Sequence, residues 1–204
     1  MLIIAKIKFF KYNLIMSENE KKRLFIALNL PADVKARLDD LLIELAKKNN
    51  TVKWCSPESL HLTLHFLGYL DEIQEGKVKL ILQSFSGKFG SFEFKLGKIN
   101  AFPKLDRPRV IYLECPQING KAVFKLQKLL GEKLSQVNLE IDQRRWQPHL
   151  TLGRVKAAGG KLIINHQALD KLMSVSFVVD TFELMESELT RQGPIYRQVI
   201  SYKL

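Results

Sequence analysis

The tetrapeptide His-Leu-Thr-Leu occurs twice in this chain, at His61–Leu64 and at His149–Leu152, 88 residues apart. On a strand, side chains two positions apart share a face, so each copy sets an imidazole and a hydroxyl side by side. Two such strands brought together would offer two imidazoles and two hydroxyls to one ligand. Imidazole titrates near neutrality, so one member of a pair can give a proton while the other takes one. Cleavage of a phosphodiester needs that pairing: a base for water and an acid for the departing oxygen. His61 and His149 are therefore the candidate catalytic groups. Thr63 and Thr151 are candidates to donate to non-bridging phosphate oxygens, where negative charge builds in the transition state.

The chain has four histidines in all. Alternation places His65 on the face of His61 and Thr63, at the rim of the same site. His61-x3-His65 also has the spacing of zinc ligands on a helix, but Thr-Leu-His-Phe favours a strand. A metal hydrolase using His61 and His65 is one competing reading. His166 reads as a surface residue. Arg107, Arg109, Arg144 and Arg145 are positioned to form a basic rim or a solvated face.

The elements that must hold these residues can be traced along the chain. Arg23 to Asn29 (RLFIALN) is an apolar run suited to a buried strand. Pro31 opens a helix to about Lys48, with Val34, Leu38, Leu41, Leu42 and Leu45 at helical spacing. Val52 to Cys55 is a short strand, Ser56-Pro57-Glu58 a turn, and His61 to Leu67 a strand stopped by Gly68. A second helix spans Ile73 to Phe85. Strands over Phe92 to Ile99 and Arg109 to Leu113 enclose a loop with Pro103 and Pro108. A third helix, Asn119 to Val137, aligns Val123, Leu126, Leu130 and Leu134. The second motif strand is His149 to Val155; one or two strands follow over Met173 to Leu189, and a last one over Tyr196 to Tyr202. Strand, helix and motif strand appear once in each half, which points to two similar lobes sharing a cleft. The fold class expected is α+β with antiparallel sheets.

Bulk properties set the context. The chain has 204 residues, 46% hydrophobic, with 32 basic and 21 acidic side chains for a net charge of +11. That length is enough for one compact core, and a basic field attracts polyanions. Cys55 and Cys115, the only cysteines, lack metal-ligand spacing and point to a reducing compartment. Residues 1–15 are apolar but broken by Lys6, Lys8 and Lys11, so no run is long enough for a membrane span. Met16 reads as the natural start, with residues 1–21 an extension and 22–204 one bilobal domain.

HLTLHFLG (61–68) and HLTLGRV (149–155) resemble the paired His-x-Thr/Ser signatures of the 2H phosphoesterase superfamily. RLFIALNLP (23–31), RPRVIYL (107–113), QPHLTLGRV (147–155) and SELTRQGPIYRQVISYKL (187–204) are similar to the RNA 2′,3′-cyclic phosphodiesterases, also known as 2′-5′ RNA ligase-like proteins. The resemblance spans about residues 22 to 204. It implies two pseudo-symmetric lobes around a central cleft, with helices outside. It also implies hydrolysis of an RNA-terminal 2′,3′-cyclic phosphate to a 2′-phosphate, without metal or cofactor. His149 would be the base and His61 the acid, although the sequence itself is symmetric in this respect. Arg154 matches a family arginine that contacts phosphate, and Phe66 a family aromatic that stacks on the terminal base. Both lie five residues beyond their histidine, which on a regular strand is the wrong face, so a bulge or twist must re-aim them. The expected partners are RNA ends or cyclic nucleotides, for a cytoplasmic monomer that does not engage membranes. Two alternatives remain: the reverse reaction joining tRNA halves through a 2′-5′ bond, and a binding module without turnover.

Overall fold

The computed structural model describes residues 21–156, 162–164, 169–170, 172–191 and 193–204; residues 1–20 of the N-terminal extension and His166 lie outside them. Among the described residues, ten strands and three α-helices follow the expected order. β1 (Lys22–Asn29) is followed by α1 (Ala32–Lys48), β2 (Val52–Trp54) and β3 (His61–Leu70). Next come α2 (Glu72–Phe85), β4 (Phe92–Lys95), β5 (Ile99–Lys104) and β6 (Arg107–Glu114). α3 (Ala122–Ser135), β7 (His149–Val155), β8 (Ser176–Val179), β9 (Thr181–Thr190) and β10 (Gly193–Lys203) complete the chain.

The main sheet runs β10-β9-β1-β3-β7-β6-β5, with β2 also paired to β7, and every pairing is antiparallel. It consists of two halves that meet at β3 and β7 through the single pair Leu62↔Leu150. The β1–β3 ribbon of one half corresponds to the β6–β7 ribbon of the other. The strands β4 and β8 form a separate two-stranded sheet. This is the expected α+β architecture, with the helices packed on one side of the sheet.

The helices form where apolar spacing supplies a core face. Val34, Leu38, Leu41, Leu42 and Leu45 of α1 are all buried, as their spacing requires. Asp71 caps α2 by accepting from the Gln74 backbone N–H, and the Gln74 side chain accepts from the Asp71 N–H in return. Val123, Leu126, Leu130 and Leu134 of α3 join the same core. β1 is buried on both faces. Leu24, Ile26 and Leu28 pack toward the helices, while Phe25 and Ala27 form a separate cluster with Met185 and Tyr196 on the opposite face. No helix among the described residues is long and apolar enough to cross a membrane.

Three sequence expectations need correction. Gly68 does not stop β3; it takes a positive φ of 77° within the strand, which runs on to Leu70. The stretch 92–99 is not one strand, because β4 ends at Lys95 and β5 begins at Ile99. Pro103 and Pro108 are not in a loop: they face each other in the β5–β6 hairpin, and the Phe102–Pro103 peptide is cis.

Candidate active site

The two motif strands begin with their histidines, and both imidazoles are half-buried. Their anchoring is the same. His61 Nδ1–H donates to the Ser59 carbonyl at 2.8 Å, and His149 Nδ1–H donates to the Gln147 carbonyl at 2.8 Å. A carbonyl can only accept, so each bond places the proton of the neutral ring on Nδ1 and leaves the Nε2 lone pair for the cleft. The register at Leu62↔Leu150 sets Thr151 in line with His61 and Thr63 in line with His149. The two imidazoles are close enough to affect one another electrostatically.

A β-bulge just after the threonine of each motif strand sets the facing of the residues that follow; β3 has a second, at Leu67, between Phe66 and Gly68. On β3, Thr63 and His65 oppose consecutive residues of β1, Ala27 and Ile26, so Leu64 is the extra residue. On β7, Thr151 and Gly153 oppose consecutive residues of β6, Tyr112 and Ile111, so Leu152 is extra. The bulges occupy the same place in both motifs. Each shifts the alternation by one, so Phe66 and Arg154 rejoin the face of the histidines and threonines. Phe66 is 60% exposed and Arg154 is exposed as well.

The same bulge removes His65 from this face. It is 5% exposed, and its Nε2 meets the Gln127 carbonyl of α3 at 2.7 Å. The expectation that His65 lines the cleft rim is therefore wrong, because strict alternation does not hold through a bulge. His61 and His65 point to opposite sides of the sheet, so they do not converge on a common metal. Arg144 and Arg145 line a cavity of about 590 Å³ together with His65, Gln127 and Gly131, on the α3 side of β3. Arg144 is also paired with Asp142. Arg107 and Arg109 are exposed on the β5–β6 hairpin.

Aromatic walls flank both imidazoles, and sequence reasoning did not single them out. His61 lies 4.7 Å from the Phe25 ring and edge-on to Tyr196 at 5.0 Å. His149 lies 5.2 Å from Tyr112 and 5.6 Å from Phe102, which stack on each other at 4.4 Å. Phe25 could have been found from parity with Ala27 and Asn29; Tyr112 and Phe102 require knowledge of the pairing.

The two histidines differ in their electrostatics. Burial pushes His61 down to about 4, assisted by the positive charges of Lys35 and of a protonated His149 and opposed by the bond to Ser59. The Lys35 ammonium donates to the Glu58 carbonyl at 3.0 Å, next to the carbonyl that holds His61. His61 is therefore neutral at pH 7, with Nε2 in its accepting form.

A symmetric pair of half-sheets, each carrying one anchored imidazole, defines a two-histidine cleft protein. A family model described as the 2′-5′ RNA ligase superfamily matches residues 31–191. A Thermotoga maritima protein named RNA 2′,3′-cyclic phosphodiesterase is 31% identical over 175 residues, covering 86% of this chain and 91% of its own. One of the same name from Methanocaldococcus jannaschii is 32% identical over 180 residues, covering 87% and 98%. The crystal structure of TT0787 of Thermus thermophilus superposes with a TM-score of 0.77 at 26% identity, covering 89% of this chain and 97% of that one. The chain belongs to the 2′-5′ RNA ligase superfamily.

Proposed function

We propose that this protein is an RNA 2′,3′-cyclic phosphodiesterase that hydrolyses a terminal 2′,3′-cyclic phosphate to a 2′-phosphate by general acid–base catalysis. One observation carries this reading. Both imidazoles are held through Nδ1 by a carbonyl two residues earlier, leaving two Nε2 atoms for one ligand. The names of the relatives support the substrate class.

In this reading one Nε2 takes a proton from water as the water oxygen attacks phosphorus. The bond from phosphorus to the 3′ oxygen breaks, and the other Nε2 protonates that oxygen. Thr63 and Thr151 donate to the non-bridging oxygens, Arg154 binds phosphate, and Phe66 stacks on the terminal base. Family resemblance makes His149 the base and His61 the acid. For His61 to act as an acid, the bound phosphate anion must first raise its proton affinity, since burial keeps it neutral. Residues 22–204 form the working unit, acting without metal or cofactor as a cytoplasmic monomer.

The deciding experiment is incubation with RNA ending in a 2′,3′-cyclic phosphate, with and without a second RNA bearing a 5′-hydroxyl. A 2′-phosphate product in both mixtures supports hydrolysis. A 2′-5′ joined product formed in preference to it would favour the reverse reaction, and an unchanged substrate would leave only binding.

A further inference from the structure

Three consecutive residues ahead of the second motif each make a tie, and each tie goes to a different place. Trp146 Nε1–H donates to the Thr63 carbonyl of β3 at 2.8 Å. The Gln147 carbonyl accepts from His149 Nδ1–H at 2.8 Å. The Pro148 carbonyl accepts from the Cys115 backbone N–H at 3.0 Å, just past the end of β6. Of the three, the tie of Trp146 crosses to the half-sheet that carries the first motif.

The two halves hold their histidine anchors differently. Ser59, the anchor of His61, belongs to a turn of 3₁₀ helix at Pro57–Ser59. That turn closes on itself: Ser59 N–H donates to the Ser56 carbonyl at 3.0 Å, and Leu60 N–H to the Pro57 carbonyl at 3.1 Å. Lys35 of α1 adds a bond to the Glu58 carbonyl at 3.0 Å. The described residues 145–148, which include the anchor of His149, form no turn of their own. Pro148 has no N–H to give to a neighbouring strand. Gln147 is therefore positioned by its two neighbours, Pro148 toward β6 and Trp146 toward β3. The Trp146 ring is itself held edge-on by Phe124 of α3, at 5.4 Å.

What stands at the two ends of the Trp146 bond gives it a consequence. Thr63 carries one of the two hydroxyls set beside the histidines, and Gln147 fixes the tautomer and orientation of His149. Backbone pairing between β3 and β7 consists of Leu62↔Leu150 alone, so the indole N–H supplies a bond to β3 that the ladder does not. We infer that Trp146 is a positioning residue: by tying the Gln147 segment to Thr63, it holds the His149 imidazole in its orientation toward a phosphate bound at the threonines. The inference deepens the activity proposed above and rests on it for the identity of the ligand.

Trp146→Phe removes the donor and keeps a ring against Phe124, whereas Phe124→Leu removes the ring contact and keeps the donor. With adenosine 2′,3′-cyclic phosphate as substrate, Trp146→Phe is expected to lower kcat about tenfold to a hundredfold with KM little changed, as misorientation of a reacting group does. Phe124→Leu should lower the melting temperature and leave kcat unchanged. Nitrogen NMR of the histidine rings in mildly alkaline solution, where imidazole is neutral, should show His149 as the Nδ1–H form alone in the wild type and as a mixture of tautomers in Trp146→Phe. His61 should keep its Nδ1–H form in both. An unchanged kcat in Trp146→Phe, a fall in kcat that Phe124→Leu reproduces, or a single His149 tautomer in Trp146→Phe would each overturn the inference. If Trp146→Phe does not fold, benzothienylalanine in place of Trp146 exchanges only the N–H for sulfur and gives the same readings. If the wild type leaves the cyclic phosphate unchanged, the proposed activity fails, and the tautomers of His149 still decide the positioning.

Discussion

The proton on Nδ1 of each catalytic candidate is fixed by one backbone carbonyl, so the chemistry of the cleft is concentrated in two atoms, the Nε2 of His61 and of His149. Replacing either histidine with alanine should lower turnover of a cyclic phosphate by about 10²- to 10⁴-fold, the range for general acid–base groups. The fold should persist, since both rings are only half-buried. Wild-type rates in a folded variant would remove that histidine from the mechanism. His61 carries a second expectation. Its imidazole should titrate near 4 in the free protein, by proton NMR of its ring signals. Lys35→Met should move that titration upward, because a positive charge next to the ring is lost. That the two histidines and two threonines would be brought onto neighbouring strands was legible in the sequence, because the motif is repeated. Lys35 was not, because its proximity to His61 depends on how α1 docks beside the turn before β3.

At the scale of the strand, the two bulges do what regular alternation could not. The sequence required something to re-aim Phe66 and Arg154, but nothing in the residues located the extra position at Leu64 and Leu152. For the same reason strict alternation puts His65 on the wrong face. A bulge is defined by the partner strand, and single-strand patterns do not contain it. The two halves also differ at the residue after the bulge: His65 on β3, Gly153 on β7. A Cβ on Gly153 would meet Val52 Cγ1 at 2.8 Å and both the Lys53 carbonyl and Trp54 at 3.0 Å. Gly153→Ala should therefore destabilise the protein by about 1–3 kcal/mol through overpacking against β2. Denaturant unfolding would measure it. A neutral effect would show that β2 yields easily, and that Arg154 is not held by this contact.

For the molecule as a whole, acid should be destabilising. The native state holds His61 near 4, whereas an unfolded chain has it near the ordinary 6.5. Between those values the unfolded chain binds more protons, so stability is complete above about pH 6.5 and falls as pH drops toward 4. The loss from His61 alone is roughly 3 kcal/mol, and burial of His65 acts in the same direction. Melting temperatures of wild type and His61→Asn across this range should converge as pH falls. Parallel curves would contradict the shift. The charge of +11 gives a separate expectation: binding of a long RNA should weaken steeply with salt, and that of a cyclic mononucleotide much less. Equal salt slopes would mean that the basic surface serves solubility alone.

The paired halves were foreseeable from the repeat, whereas the way they join was not. In backbone pairing a single residue pair, Leu62↔Leu150, ties one half-sheet to the other, one position from His61 and from His149. Side chains supply the rest of the seam: Trp146 Nε1–H donates to the Thr63 carbonyl at 2.8 Å, His65 meets the Gln127 carbonyl at 2.7 Å, and one hydrophobic core underlies both halves. The ladder is thus interrupted at the place where the two imidazoles meet, and holding the halves in register there passes from backbone to side chains.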